Sequence, residues 1–306
     1  MNLTKKELKL LRIIAERPHM TITEISEAAN TPISYSSRAI SRLERKGLAT
    51  TNKMGNTKTV AFADTGHGIL LRQQMLENSH MNLGFLANTG IRILATINCL
   101  NLLTWEEIHE YSGVSYSALR PKMNQFTEVG LVEKKKSYRI HPRFTTLREF
   151  LQAFQSYINN QTAKRLAEDA VVKWECCTRF LLETVKKLRL QATGTTAFIS
   201  YGALFITPTN LYLYEKKKTM EPLRLEDHLL NHVLAYRQTN ITPYLVAWAL
   251  NRNNIDKATI IKKARIHGVD DIIEATINYF DTKGKEKPPY MPSWSELNSR
   301  VKEYQR

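Results

Sequence analysis

Apolar residues recur along the first half of the chain at the three- and four-residue spacing of buried helix faces, and the pattern occurs twice. The stretch Leu8 to Leu48 repeats from Ile91 to Leu131 at a constant offset of 83 residues: Leu10 and Leu11 align with Ile93 and Leu94, Ile14 with Ile97, Ile25 with Ile108, Ile40 with Met123 and Leu43 with Phe126. Glu24 and Glu27 fall on Glu107 and Glu110, and Gly47-Leu48 falls on Gly130-Leu131. An ungapped match of this kind predicts a duplicated three-helix unit. The Gly before an apolar residue predicts a left-handed helix end that leads into a strand.

In the first copy the pattern predicts a short helix over Thr23 to Ala29, a turn, a longer helix over about Ser34 to Lys46, and a strand pair around NKMGNTK, with a turn at Gly55-Asn56. The second copy, LTWEEIHEYSGVSYSALRPKMNQFTEVGLVEKKKSYRIHP, has the same order and a shorter hairpin. Pro121 is expected to shorten its long helix or delay its start to about Leu119. Residues 69–88 read as a connecting helix. Residues 146–190 read as one or two long helices, with Leu147, Phe150, Leu151, Phe154, Tyr157 and Ile158 at helical spacing. The Thr-, Ile-, Phe- and Tyr-rich run from residue 191, broken by Gly194, Gly202 and Pro208, predicts two or three strands followed by two or three helices. The chain thus divides into 1–68, 69–88, 89–145, 146–190 and 191–306. It is mainly α with small β hairpins and ends in a small α+β domain.

The order helix, turn, longer helix, Gly-Leu, strand, loop, strand resembles the winged helix-turn-helix of MarR- and ArsR-like transcriptional regulators, and it does so over roughly residues 1–145. The resemblance implies tandem winged helix-turn-helix modules at 1–68 and 89–145, with double-stranded DNA as partner. Helices such as those at 146–190 commonly dimerise in these regulators, which would give a homodimer; the alternative is packing on the C-terminal part. The run ATGTTAFISYG, then LYLY and LEDHLLNHVLA, resembles the C-terminal domain of AbiEi-type antitoxins, and so implies a protein partner at that domain. The function expected is a sequence-specific regulator. The alternatives are a DNA-binding antitoxin and a nucleotidyltransferase-like enzyme.

Charge sharpens this. The net charge of +15 favours a polyanionic partner. Residues 34–58 hold six basic side chains against one acidic, and residues 120–143 hold seven against two; both runs coincide with a long helix and its hairpin. On the first long helix Ile40 and Leu43 point inward, with Ala39 or Ser36 beside them, leaving Tyr35, Arg38, Ser41, Arg42 and Arg45 outward. Arg38 and Arg42 are expected in the groove, with Ser34, Ser36 and Arg45 on the backbone. Lys53 and Lys58 sit on the hairpin arms, where phosphate or the minor groove is in reach. In the second copy Tyr116, Ser117, Arg120, Lys122, Asn124 and Gln125 are available as polar contacts, and the tract Lys134, Lys135, Lys136 suits phosphate. Acidic Glu106, Glu107 and Glu110 nearby make this copy the weaker reader, or a module that dimerises instead.

Other chemistry is thin. An odd set of three cysteines, Cys99, Cys176 and Cys177, gives no disulfide framework and predicts free thiols in a reducing compartment, the cytoplasm. The longest apolar run, Ala197 to Ile206, is too short to span a bilayer, and the charged N-terminus suits an amphipathic helix rather than a secretion signal. Nucleotidyl transfer would want a Gly-Ser turn and acidic residues two apart, whereas Gly194 precedes Thr195 and Asp270-Asp271 are adjacent. His228 and His232 share a helix face but have no third ligand at metal spacing, so packing is their expected role. No enzyme activity, cofactor or metal is expected.

Overall fold

A computed structural model describes residues 1–54, 57–78, 82–101, 103–215 and 222–305. The chain forms two compact units, Met1–Cys99 with Leu103–Ile158, and Leu100–Leu102 with Asn159–Arg306.

The first unit begins with α1 (Lys5–Glu16), β1 (Met20–Thr21), α2 (Ile22–Ala29), α3 (Ile33–Arg45), β2 (Ala49–Met54) and β3 (Thr57–Phe62). The three strands form an antiparallel sheet in the order β1-β3-β2. There follow α4 (Gly66–Glu77), a 3-10 turn (Leu83–Leu86), α5 (Gly90–Cys99), α6 (Trp105–Ser112), α7 (Tyr116–Glu128), the hairpin β4 (Val132–Lys134) and β5 (Tyr138–Ile140), and α8 (Thr145–Leu166), in which the boundary between the units falls.

Local chemistry explains why the offset of 83 holds. Thr21 and Glu24 form a capping box at the start of α2, and Thr104 and Glu107 form the same box at the start of α6. Both helices end on a left-handed residue, Asn30 (φ 50°) and Gly113 (φ 62°). Gly47 (φ 65°) and Gly130 (φ 64°) follow α3 and α7, and the next amides, of Leu48 and Leu131, bond back to the carbonyls of Leu43 and Phe126. All seven aligned apolar pairs, from Leu10/Ile93 to Leu48/Leu131, are buried. Repeated caps and core positions, rather than surface residues, carry the internal match.

Two expectations for this unit change. Residues 69–88 are not one helix: α4 stops at Glu77 and a separate 3-10 turn covers Leu83–Leu86. Asn82 caps that turn by accepting from the Gly84 amide, a local bond that competes with helix continuation. α7 starts at Tyr116 in spite of Pro121, with the Ala118 and Leu119 amides bonded to the Ser115 carbonyl. The proline removes only the bond that its own N–H would have given.

The second unit holds β6 (Val171–Cys176), β7 (Arg179–Thr184), β8 (Gln191–Ala192), two 3-10 turns (Gly194–Thr196 and Phe198–Tyr201) and β9 (Asn210–Tyr214). Then come α9 (Leu225–Tyr236), α10 (Ile241–Leu250), a 3-10 turn (Arg252–Asn254), α11 (Lys257–His267), α12 (Asp270–Asp281) and α13 (Trp294–Tyr304). The sheet is antiparallel, β6-β7-β9-β8. Phe180, Leu182 and Tyr212 pack on Ala163 of α8 and on Ala167 just past its end, while Leu181, Leu211 and Leu213 join the core of α9 to α13.

The expectation of helices across 146–190 is therefore corrected. Leu147, Phe150, Leu151 and Phe154 are buried on α8 as read, but 171–184 is a β-hairpin turning at Cys177 (φ 54°). A strand covered on both faces shows an apolar run without alternation, which periodicity does not separate from a helix. Likewise Phe198–Tyr201 is a 3-10 turn rather than a strand, and the stretch 256–280 is two helices, split at Gly268 (φ 64°). No helix among the described residues is long and apolar enough to cross a membrane. Cys176 and Cys177 are buried and in no disulfide among the described residues, and Cys99 donates to Gln155 Oε1 at 3.3 Å. His228 and His232 lie in the core: His228 Nδ1 meets Thr193 Oγ1 at 3.1 Å and His232 Nε2 meets the Asn240 carbonyl at 2.9 Å.

Candidate nucleic-acid interface

α3 has one face locked inward by Ser36, Ala39, Ile40 and Leu43. Its opposite side exposes Ser34, Arg38, Ser41 and Arg45, at positions i, i+4, i+7 and i+11, which is one stripe down a helix. Arg38 Nε donates to the Ser34 carbonyl at 3.1 Å, which steadies the side chain against its own helix. Among the described residues no carboxylate pairs with Arg38 or Arg45. An unpaired guanidinium of fixed stem carries the donor fork that suits guanine edges and phosphate.

Two residues expected to touch DNA from this helix lie off its exposed stripe. Ser36 is fully buried, and its hydroxyl meets Thr31 Oγ1 at 2.8 Å, so it ties the turn to α3 and has no surface to offer. Arg42 is committed to Glu7 of α1, Nε to Oε1 at 3.1 Å. The same carboxylate takes Lys46 Nζ at 3.0 Å and the Thr4 amide at 2.8 Å, with Glu7 only 1% exposed. Burial alone would raise the Glu7 carboxyl; the Thr4 amide, Lys46 and Arg42 outweigh it and hold it below the usual range. Tyr35 is half-buried beside this knot, with Lys6 Nζ 4.8 Å and the Arg42 guanidinium 5.8 Å from its ring centre. Glu7 was absent from the sequence reading, although Thr4-x-x-Glu7 is a capping-box spacing and could have marked it.

The hairpin β2–β3 is fixed to α3 by Thr51 Oγ1, which donates to Glu44 Oε1 at 2.6 Å. Lys53 and Lys58 are exposed and directly opposite one another in register. The turn at Gly55-Asn56 lies outside the described residues.

On α7, Tyr116, Ser117, Arg120 and Asn124 are exposed, and the Tyr116 ring stacks on His109 with centres 4.0 Å apart. Lys122 departs from expectation: it is half-buried, turned away from Arg120, and donates to the Phe85 carbonyl at 3.3 Å and to Gln125 Oε1 at 3.2 Å. A residue two positions from Arg120 falls about 200° around a helix, so the two never share a face. Of the lysine tract only Lys134 is in strand β4; Lys135 and Lys136 form the exposed connection to β5. Glu133 and Arg139 pair across this hairpin, and Lys134 lies over the Tyr138 ring.

Residues 3–50 match the family model of winged helix-turn-helix DNA-binding domains. The N-terminal segment is a winged helix-turn-helix. In it α3 occupies the place of the second helix of the motif and β2–β3 that of the wing. Searches of curated proteins and of solved structures returned no match.

Proposed function

We propose that this protein is a sequence-specific transcriptional regulator that reads double-stranded DNA through two winged helix-turn-helix modules. The first is α1–β3, with α3 as recognition helix. The second is α5–β5, with α7 in the same role. The observation that carries the reading is the exposed stripe Ser34, Arg38, Ser41, Arg45, which has cations and hydroxyls and no carboxylate partner. Support for the second module comes from its matching capping box, helix-ending glycine and buried core at the same offset. Its long helix exposes one cation, Arg120, where α3 exposes Arg38 and Arg45, and Lys134, Lys135 and Lys136 lie on the hairpin, so it contributes phosphate contacts more than base reading. On this reading the protein binds and does not catalyse.

Selection from a random DNA pool at physiological salt tests the proposal. A defined motif should emerge, and Arg38→Ala should cost about 1–3 kcal/mol on the selected site while costing less on random DNA. Recovery of unenriched DNA, or equal losses on both, rejects sequence reading by α3.

A further inference from the structure

Within the first unit, α1, α4, the 3-10 turn and α7 line a half-open cavity of about 550 Å³. Lys5, Lys9 and Arg12 of α1 line it at i, i+4 and i+7, and Lys122 of α7 lines it as well. Leu8 and Met75, both at least nine-tenths buried, give it apolar wall. Among the described residues, no acidic side chain lines it. Burial, then the charge of Lys5, push the Lys122 ammonium pKa down. The Phe85 carbonyl and Gln125 use two of its three N–H donors, leaving one for a ligand. Lys9 likewise has one N–H committed, to the Ala29 carbonyl at 2.6 Å, and keeps two.

We infer that this cavity binds a small organic anion, a phosphate or carboxylate head held by Lys5, Lys9, Arg12 and Lys122 with a short apolar body against Leu8 and Met75. The volume is that of a small-molecule site. The mixed lining separates it from a phosphate rail, which needs charge but no buried apolar wall. It uses none of the exposed stripe of α3, so it stands or falls apart from the DNA-reading proposal.

The test uses the full-length chain, with phenyl phosphate as probe and phenol as its uncharged counterpart, followed by calorimetric titration and thermal melts. Phenyl phosphate should bind once per chain and raise the Tm, and phenol should do neither. Lys122→Met, which keeps the stem and removes the charge, should weaken phenyl phosphate binding about tenfold or more. Lys5→Met, at an exposed position that leaves the fold intact, should weaken it in the same sense, and Arg38→Ala should leave it unchanged. Absence of saturable binding up to roughly 10 mM overturns the site, as does unchanged affinity in both lysine variants. So does a third result, in which both variants lose DNA affinity and salt dependence while phenyl phosphate has no effect, since the cluster would then serve the DNA backbone.

Discussion

At the residue scale, buried ionisable groups set how the protein responds to acid. Glu7 is buried against Lys46 and Arg42 with its folded pKa below the 4.5 usual for glutamate, so its contribution is present above that value and is lost as pH falls through the folded pKa. Glu7→Gln should flatten the pH dependence of urea unfolding below pH 4.5 and lower stability at neutral pH by about 1–3 kcal/mol. A variant as stable as the parent at every pH rejects the knot as a stabilising feature. His232 acts through the opposite charge state. Its ring is enclosed by Phe198, Tyr236 and Tyr244, its buried Nδ1 has no hydrogen-bond partner among the described residues, and burial lowers its pKa from 6.5 to about 4. The unfolded chain takes a proton there below pH 6.5 while the folded chain refuses it, so stability drops as pH falls from 6.5 toward 4. Each unit in that window should cost about 1.4 kcal/mol. NMR should show the His232 ring neutral down to pH about 5; titration near 6.5 means the ring is solvated.

Elements differ in how tightly their ends are held. Gly47 and Gly130 have the same left-handed backbone, yet a Cβ on Gly47 would lie 2.7 Å from Tyr157 Cζ of α8, whereas at Gly130 it would meet only the Arg143 guanidinium, at 2.9 Å. Gly130→Ala should cost about 1 kcal/mol, the backbone penalty alone, because the Arg143 head group can move. Gly47→Ala should cost clearly more, and chemical denaturation of the two variants decides it; equal losses mean that α8 yields at no cost. Pro121 sits in the sixth position of α7 and is exposed. Replacing it by Ala restores a helix hydrogen bond to the Ser117 carbonyl and should raise stability by up to ~3 kcal/mol. A destabilised Pro121→Ala would mean that the ring contributes packing that its exposure does not show.

Across the whole molecule, what was legible in the sequence was what repeats or alternates. The apolar offset located the buried positions of α1 to α3 and α5 to α7, because helix cores impose their period on the chain whatever lies on the surface. β7 was hidden for the reverse reason: Phe180, Leu181 and Leu182 face two different cores, and a run apolar on both sides has no period to read. Site residues divided the same way. Arg38 and Arg45 follow from helical geometry alone. The commitment of Arg42 and Lys46 to Glu7, 35 and 39 residues away, and the turning of Lys122 toward Phe85 are tertiary facts that local spacing does not contain. DNA affinity integrates these contacts, so loss of Lys53 or Lys58 should weaken binding to all sequences alike and reduce the salt-dependence slope by about one each. Salt-independent binding would exclude phosphate contact by the β2–β3 hairpin.

The facing ammonium groups of Lys53 and Lys58 make that hairpin a spring loaded by its own charge. Like charges directly opposite on a strand pair push the arms apart, and dissolved ions soften that push. Raising ionic strength should therefore slow amide exchange in the arms of the free protein while the same ions loosen its grip on nucleic acid: one electrolyte, acting with opposite signs on the tool and on its task.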